Sequence, residues 1–256
     1  NNCYVDELDL SYNLLNSTDY LAISVVELGS NNKLKLNNNQ LRGFRLKTSM
    51  RKATHLDLSF NQLKSVTKDN SFDPGLLFLN LSHNSLDFLS PSLFKGVSMT
   101  IASKLVDLDL SCNYFTNLSA SLLNILPSLE KLNVSFNMLE QFENASFSVL
   151  TRLKKLDLSK NRLSLLEKSL FEKNVFLEYL NLSLNRIENL ERELFSSLTN
   201  LLFLDLSGNK ISILDRLLFQ NTGKLKDLYI HSNPILQIQS LVGLESIENV
   251  YLSRSM

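Results

Sequence analysis

The 256-residue sequence has no tryptophan, only two cysteines, and few backbone punctuators, with four prolines and seven glycines. So little Pro and Gly leaves little room for flexible linkers. Two cysteines are too few to bound a cysteine-rich cap at either end. Neither sign of charge prevails: Lys plus Arg and Asp plus Glu are 26 each, so net charge offers no footprint for nucleic acid or a membrane surface. No apolar run approaches the roughly 18–20 residues of a transmembrane helix. The chain opens Asn-Asn-Cys-Tyr without a signal-peptide pattern, as a trimmed fragment or a cytosolic protein would. The three histidines, His55, His83 and His231, are scattered and share no metal-ligand spacing with a cysteine, so no metal site is expected. Against no Trp stand 15 Phe, and these recur at fixed places.

Between residues 129 and 235 one pattern occurs five times. Its copies begin at Leu129, Leu153, Leu177, Leu201 and Leu225, and read L-x-x-L-x-L-x-x-N-x-L with Val or Ile at some Leu places. The asparagines Asn137, Asn161, Asn185, Asn209 and Asn233 are spaced 24 residues apart. The alternating L-x-L predicts a short strand with both apolar residues inward and the residue between them outward. The Asn ends the strand at a turn, where its amide can bond the backbone of neighbouring turns. Five residues on lie Phe142, Leu166, Leu190, Leu214 and Ile238, and ten residues on lie Phe147, Phe171, Phe195 and Phe219. Both sets are expected to meet the core from the opposite side, the phenylalanines as a spine. All of these residues are read as scaffold and not as site.

Upstream the pattern loosens. Repeats fall at Leu8/Leu10/Asn13, Leu34/Leu36/Asn39, Leu56/Leu58/Asn61, Leu79/Leu81/Asn84 and Leu108/Leu110/Asn113. In the second, Asn31 stands where a leucine belongs, and a competing register runs through Ile23, Val26, Leu28 and Asn31. The interval of 29 residues between Asn84 and Asn113 places an insertion around residues 95–104. An eleventh strand is expected at Ile247, Val250 and Leu252. The resulting expectation is one domain over residues 1–256 with about eleven repeats, a fragment of a larger ectodomain whose terminal caps are missing.

The motifs LDLSYNLL, LDLSFNQL, LNLSHNSL, LDLSCNYF, LDLSKNRL, LNLSLNRI and LDLSGNKI resemble the typical, 24-residue class of extracellular leucine-rich repeats. That class is seen in Toll-like receptor ectodomains and in leucine-rich immune proteins of insects. The resemblance implies an α/β leucine-rich repeat solenoid. Its curved parallel β-sheet would form the concave face, with loops and short helical turns on the convex face. In such a stack Cys3 and Cys112 lie four repeats apart, roughly 20 Å at normal strand spacing. A disulfide needs Cα atoms within about 7 Å, so the two should not pair. Cys112 is expected as a free, partly exposed thiol. Cys3 could join a cysteine outside this sequence or remain free.

Six Asn-x-Ser/Thr sequons occur, at Asn16, Asn80, Asn117, Asn133, Asn144 and Asn181. Asn80, Asn133 and Asn181 take the middle strand position where Asp57, Asp109, Asp157 and Asp205 stand in alternate repeats, so a single Asp-to-Asn change makes each of them by accident. The other three do not arise that way, and they favour an extracellular location. Sugar on any strand sequon would cover the centre of the concave sheet and direct protein ligands to its flanks or its C-terminal end.

Enzymes need convergent acids, bases or nucleophiles, whereas this chain distributes its polar groups one per strand, with no phosphate loop, nucleophile elbow or HExxH. The Asp column puts carboxylates about 10 Å apart, too far to share a cation. The reading is therefore non-catalytic, without cofactor. Most variable positions (Lys154, Lys155, Lys160, Arg162, Glu178, Arg186 and Lys210) read as a solvated face of mixed charge. The departure is aromatic: Tyr179 and Phe203 share one outward column, and Tyr229 and Tyr251 share the middle one. Together they mark a candidate interface at the C-terminal end of the concave face, or a contact with a cap or second chain. Phe60, Phe136 and Leu184, each just before a turn Asn, are secondary candidates. The expected function is recognition of a protein or microbial ligand by an innate-immune receptor-like ectodomain, without nucleic acid and open to dimerisation or assembly through its ends. A structural or adhesive extracellular scaffold is the alternative, and a cytosolic adaptor a third.

Overall fold

The structure, a computed structural model, describes residues 3–17, 26–44, 53–66, 72, 74–94, 103–142, 145–238 and 241–252. Its strands are β1 (Cys3–Asp9), β2 (Val26–Lys35), β3 (His55–Asp57), β4 (Phe78–Asn80), β5 (Asp107–Asp109), β6 (Lys131–Asn133), β7 (Lys155–Asp157), β8 (Tyr179–Asn181), β9 (Phe203–Asp205), β10 (Ile213–Leu214), β11 (Asp227–Tyr229), β12 (Gln237–Ile238) and β13 (Asn249–Tyr251). All but β10 and β12 form one parallel sheet of 11 strands in chain order, while β10 and β12 pair beside it. One strand per turn, always adding to the same edge, is a linear stack of repeats and makes the chain a leucine-rich repeat solenoid. Leucine faces leucine from Leu8↔Leu34 to Leu204↔Leu228, and Val250 takes that place in β13.

From β3 onward the strands of the large sheet are three residues long, for a local reason. The side chain after the central leucine accepts a hydrogen bond from the backbone two residues on, as in Asp57 Oδ1 with Ser59 N at 2.9 Å and Asn80 Oδ1 with Ser82 N at 3.0 Å. Such a turn ends the ladder. The chain then enters the left-handed region at Tyr12, Asn38, Phe60, His83, Cys112, Phe136, Lys160, Leu184 and Ser232, with φ of 53–58°, and at Gly208 with φ of 65°. Only there can it reverse into the buried Asn.

The buried asparagines behave as a ladder. Asn161 Nδ2 donates to Leu158 O and Ser159 O in its own turn, each at 3.1 Å, and to Val134 O of the preceding turn at 3.0 Å. Its Oδ1 accepts from Leu139 N at 3.0 Å. The same set recurs at Asn84, Asn185 and Asn233, so peptide groups that would be orphaned inside are satisfied. On the return side Phe147 stacks on Phe171 at 6.0 Å and Phe195 on Phe219 at 6.2 Å. All four are fully buried, which is the phenylalanine spine expected from the spacing. Leu123 holds the corresponding place in the fifth repeat, at the end of a short helix, α1 (Ala120–Leu123), capped by Ser119.

Several details differ from the sequence expectation. β1 and β2 have seven and ten residues, not three. Both registers of the second repeat are used. Val26 and Leu28 pair with Cys3 and Val5, and after a bulge Leu34 faces Leu8. Leu34, Leu36 and Asn39 then take the buried places. Phe142 and Leu190 are only partly buried against the core. Ile238, expected inside, is 41% exposed, because β12 is the outer member of its two-stranded pair and nothing stacks beyond it among the described residues. Most of the expected insertion, residues 95–102, lies outside the described residues, as does Asn144. Cys3 opens β1, but its side chain is likewise outside the described part. Among the described residues no helix is long and apolar enough to cross a membrane.

Candidate recognition surface

Each strand of the large sheet turns two side chains away from the core, one on either side of its central leucine. Two columns result. The first runs from Glu7 through Lys33, His55, Phe78, Asp107, Lys131, Lys155, Tyr179, Phe203 and Asp227 to Asn249. The second is the middle column of Asp and Asn, with Lys35 in β2 and Tyr in the last two strands.

At the C-terminal end the rings of the two columns join. Tyr179 stacks on Phe203 at 4.5 Å with 8° between planes, and Tyr229 on Tyr251 at 4.3 Å with 8°. Phe203 and Tyr229, one in each column, close the gap at 5.3 Å and 39°. The four residues singled out in the sequence are thus one continuous ladder across β8, β9, β11 and β13. His231 meets Tyr229 edge-on at 6.5 Å. Tyr179, Phe203 and Tyr229 are half-buried, since each ring covers its neighbour, and Tyr251 is exposed. Burial raises the Tyr179 phenol pKa, and the Asp157 and Asp205 carboxylates raise it further against a hydrogen bond with Asn181. The Tyr229 phenol is raised first by its hydrogen bond with Tyr251, then by burial and by Asp227 and Asp205.

A second stack was not anticipated. His55 lies on Phe78 at 4.2 Å and 14°, over a depression of about 410 Å³ that Lys33, Lys35, Asn80 and Asp107 also line. Burial, and then the Lys33 charge, lower the His55 pKa. Its signal was in the sequence: His55 and Phe78 occupy, in consecutive turns, the column of Tyr179 and Phe203. Between the two stacks Lys131 pairs with Asp107 at 3.4 Å, and a smaller depression of about 230 Å³ is lined by Lys131, Lys155 and Tyr179.

The secondary candidates Phe60, Phe136 and Leu184 are about half exposed. They do not join the ladder. They lie along the left-handed corners at the edge of the sheet, where Phe60 stacks on His83 at 4.0 Å and Lys160 Nζ sits 4.6 Å from the Phe136 ring centre. Cys112 in the same row is a free, half-buried thiol. Its pKa is raised by burial and then by Asp109, with Lys160 acting the other way. The mixed charges expected to be solvated include exposed ion pairs between turns, Lys154 with Glu130 at 2.9 Å and Lys210 with Glu188 at 3.4 Å. Exposed pairs of this kind add little stability.

The sequons divide by environment. Asn16 and Asn117 are exposed, off the strands. Asn80, Asn133 and Asn181 are half-buried in the middle column. Asn133 Nδ2 donates to Asp109 Oδ2 at 3.1 Å, and Asn181 Nδ2 to Asp157 Oδ2 at 3.3 Å. This supplies a physical reason for the Asp/Asn alternation: two carboxylates side by side would repel, whereas an amide beside a carboxylate bonds to it. Among the described residues Asn80 is the strand sequon whose Nδ2 is not tied in this way.

Residues 103–163 and 151–211 match the family described as Leucine rich repeat, and residues 75–97 match a further Leucine Rich Repeat description. Among solved structures, TLR13 in the TLR13–ssRNA13 complex is 28% identical over 93% of this chain and 34% of its own, with a TM-score of 0.77. A leucine-rich repeat protein of Leptospira interrogans is 28% identical over 88% of this chain and 56% of its own, with a TM-score of 0.75. The leucine-rich repeat domain of APL1B shares the fold at 21% identity, over 90% of this chain and 62% of its own, with a TM-score of 0.70. The chain therefore spans about a third of TLR13 and little more than half of the Leptospira protein. No curated protein matches the sequence.

Proposed function

Because the chain belongs to the leucine-rich repeat family, we propose that it is the ligand-recognition part of an extracellular, innate-immune receptor-like protein. Proteins of this family are typically non-catalytic binding scaffolds. The observation that carries the reading is the four-ring ladder of Tyr179, Phe203, Tyr229 and Tyr251 on the outward face of the sheet. Scaffold leucines and asparagines are consumed by the core, so the outward columns are where this chain differs from turn to turn. Large rings already stacked on their neighbours lose little entropy on binding and bring much apolar area. The sequons support the extracellular placement. Asn80, on β4, is the strand sequon best disposed for sugar. It stands four strands from Tyr179, roughly 19 Å, which leaves the ladder open.

TLR13 was solved bound to ssRNA13. A similar ligand on the outward face of this sheet would meet the Asp column at each second strand, so a protein or microbial ligand without a polyanionic backbone fits better. Partner capture from the extracellular fluid of the source, with wild-type protein beside a Tyr229→Ser/Tyr251→Ser variant, tests the reading. The wild type retains a partner that the variant loses while melting within a few degrees of it. Equal retention by both would remove the ladder as the binding surface.

A further inference from the structure

The middle of the aromatic ladder is a checkerboard. β9 presents Phe203 and Asp205, and β11, paired with it, presents Asp227 and Tyr229, with Asp227 opposite Phe203 and Tyr229 opposite Asp205. The rings occupy one diagonal, in contact at 5.3 Å, and the carboxylates the other. Each carboxylate spends one oxygen inside the fold: Asp205 Oδ1 accepts from Ser207 N at 2.8 Å, and Asp227 Oδ1 from Asn249 Nδ2 at 2.7 Å. Their Oδ2 atoms take no hydrogen bond among the described residues. Asp157, by contrast, has both oxygens engaged, by Ser159 N and by Asn181 Nδ2.

Within the two outward columns the charge around the checkerboard has one sign, and Lys226 on its rim, beside Asp227, is paired with Glu248 at 2.8 Å. Over the two outward columns of the whole sheet, eight carboxylates face four lysines, Lys33, Lys35, Lys131 and Lys155. The chain as a whole is neutral, so the remaining surface is net basic. From β8 to β13 the columns carry Asp205 and Asp227 and no lysine. An acidic, aromatic patch on a neutral protein selects a cation that also has an apolar or planar body. Diagonal neighbours in a sheet lie about 7–8 Å apart, a span that a planar group with several donors can bridge. Guanidinium meets each requirement: it is permanently charged, donates in a fork to two carboxylates, is weakly hydrated and packs on rings.

We propose that this checkerboard is a receptor site for an arginine side chain of a partner polypeptide, with Asp205 and Asp227 taking the guanidinium as it packs against the outward edges of the touching Phe203 and Tyr229 rings. The inference rests on the recognition face argued above and names the chemistry of the ligand that it takes. Lysine binds more weakly, since a strongly hydrated point charge neither forks nor stacks. Polyanions are repelled.

The test uses a short peptide repeating Gly-Leu-Arg, its Lys and Glu counterparts, and a single-stranded oligonucleotide. Each is titrated into the full chain and read by calorimetry and by tyrosine emission, which no tryptophan obscures. Two charge variants accompany the wild type, Asp227→Asn and Asp205→Asn. The second is made with Ser207→Ala, because Asp205→Asn alone would create a sequon. Asparagine is already tolerated in the middle column, where Asn133 Oδ1 accepts from Ser135 N at 3.0 Å. The Arg peptide binds, binds tighter than the Lys peptide and weakens with salt, and each charge variant loses about tenfold or more in affinity. Binding of the Glu peptide or the oligonucleotide as tight as that of the Arg peptide overturns the proposal, as does unchanged Arg-peptide affinity in both charge variants. A Tyr229→Ser/Tyr251→Ser variant separates the two readings. Loss in the ring variant alone keeps the recognition face and overturns the arginine site. Loss in the charge variants alone keeps the arginine site and removes the ladder as the anchor.

Discussion

At Asn161 one side chain makes three donor contacts and accepts one backbone N–H, all buried. Replacing it by Ala strands the Leu139 N–H without water, while the Val134 carbonyl keeps Asn137 Nδ2 at 3.1 Å. An unsatisfied buried group costs about 1–3 kcal/mol, so Asn161→Ala should lose about that much in urea unfolding. A loss below about 1 kcal/mol would mean that water replaces the amide. Cys112 offers a second check. Its pKa is raised, chiefly by burial, so at neutral pH it holds less thiolate than a free thiol. In a Cys3→Ser background, iodoacetamide should modify Cys112 more slowly than free cysteine at pH 7–8, with the rate rising to a midpoint above the ordinary thiol pKa. Faster modification would contradict that environment. The buried Asn was legible from spacing alone, because only one geometry satisfies a turn repeated at a constant interval. The Asn133–Asp109 bond was not, since the sequence lists the column but not which amide turns toward which carboxylate.

The elements divide into core-facing and outward-facing stacks of rings, and the two differ in energy. Phe171 stacks on Phe147 in the closed core, so Phe171→Ala should cost about 3–5 kcal/mol. Tyr251 stacks on Tyr229 in solvent, and cross-strand pairs contribute roughly 0.2–1 kcal/mol, so Tyr251→Ala should lower stability by less than about 1 kcal/mol. Paired urea denaturation of the two variants checks the contrast, and equal losses would refute it. The phenols provide an independent reading: alkaline spectrophotometric titration should show Tyr179 and Tyr229 ionising above free tyrosine, and Tyr251→Phe should lower the Tyr229 midpoint by removing the leading cause. The sequence placed the rings in two columns. It could not show that Phe203 bridges to Tyr229, because that contact depends on ring tilt and on the diagonal distance between strands. The His55–Phe78 stack went unread for a simpler reason. A histidine followed one turn later by a phenylalanine looks like two variable residues until their registers are aligned.

Over the whole molecule the repeats make a long sheet with a neutral total charge and an acidic outward face. Fold class was legible almost completely, because every turn repeats the same inward residues and the core needs no long-range guess. Departures concentrate where the pattern breaks: at β1 and β2, where two registers share one strand, and at Ile238, beside the last strand. Function was legible only as far as the outward columns differ from one another, since fold alone assigns no ligand. Extracellular placement, on which a recognition ectodomain depends, is decided by peptide-level mapping of N-glycans on protein taken from its own source. Sugar is expected at the exposed Asn16 and Asn117, and among the strand sequons at Asn80 before Asn133 or Asn181. Bare asparagine at every sequon would contradict an extracellular placement and favour an intracellular adaptor built on the same fold.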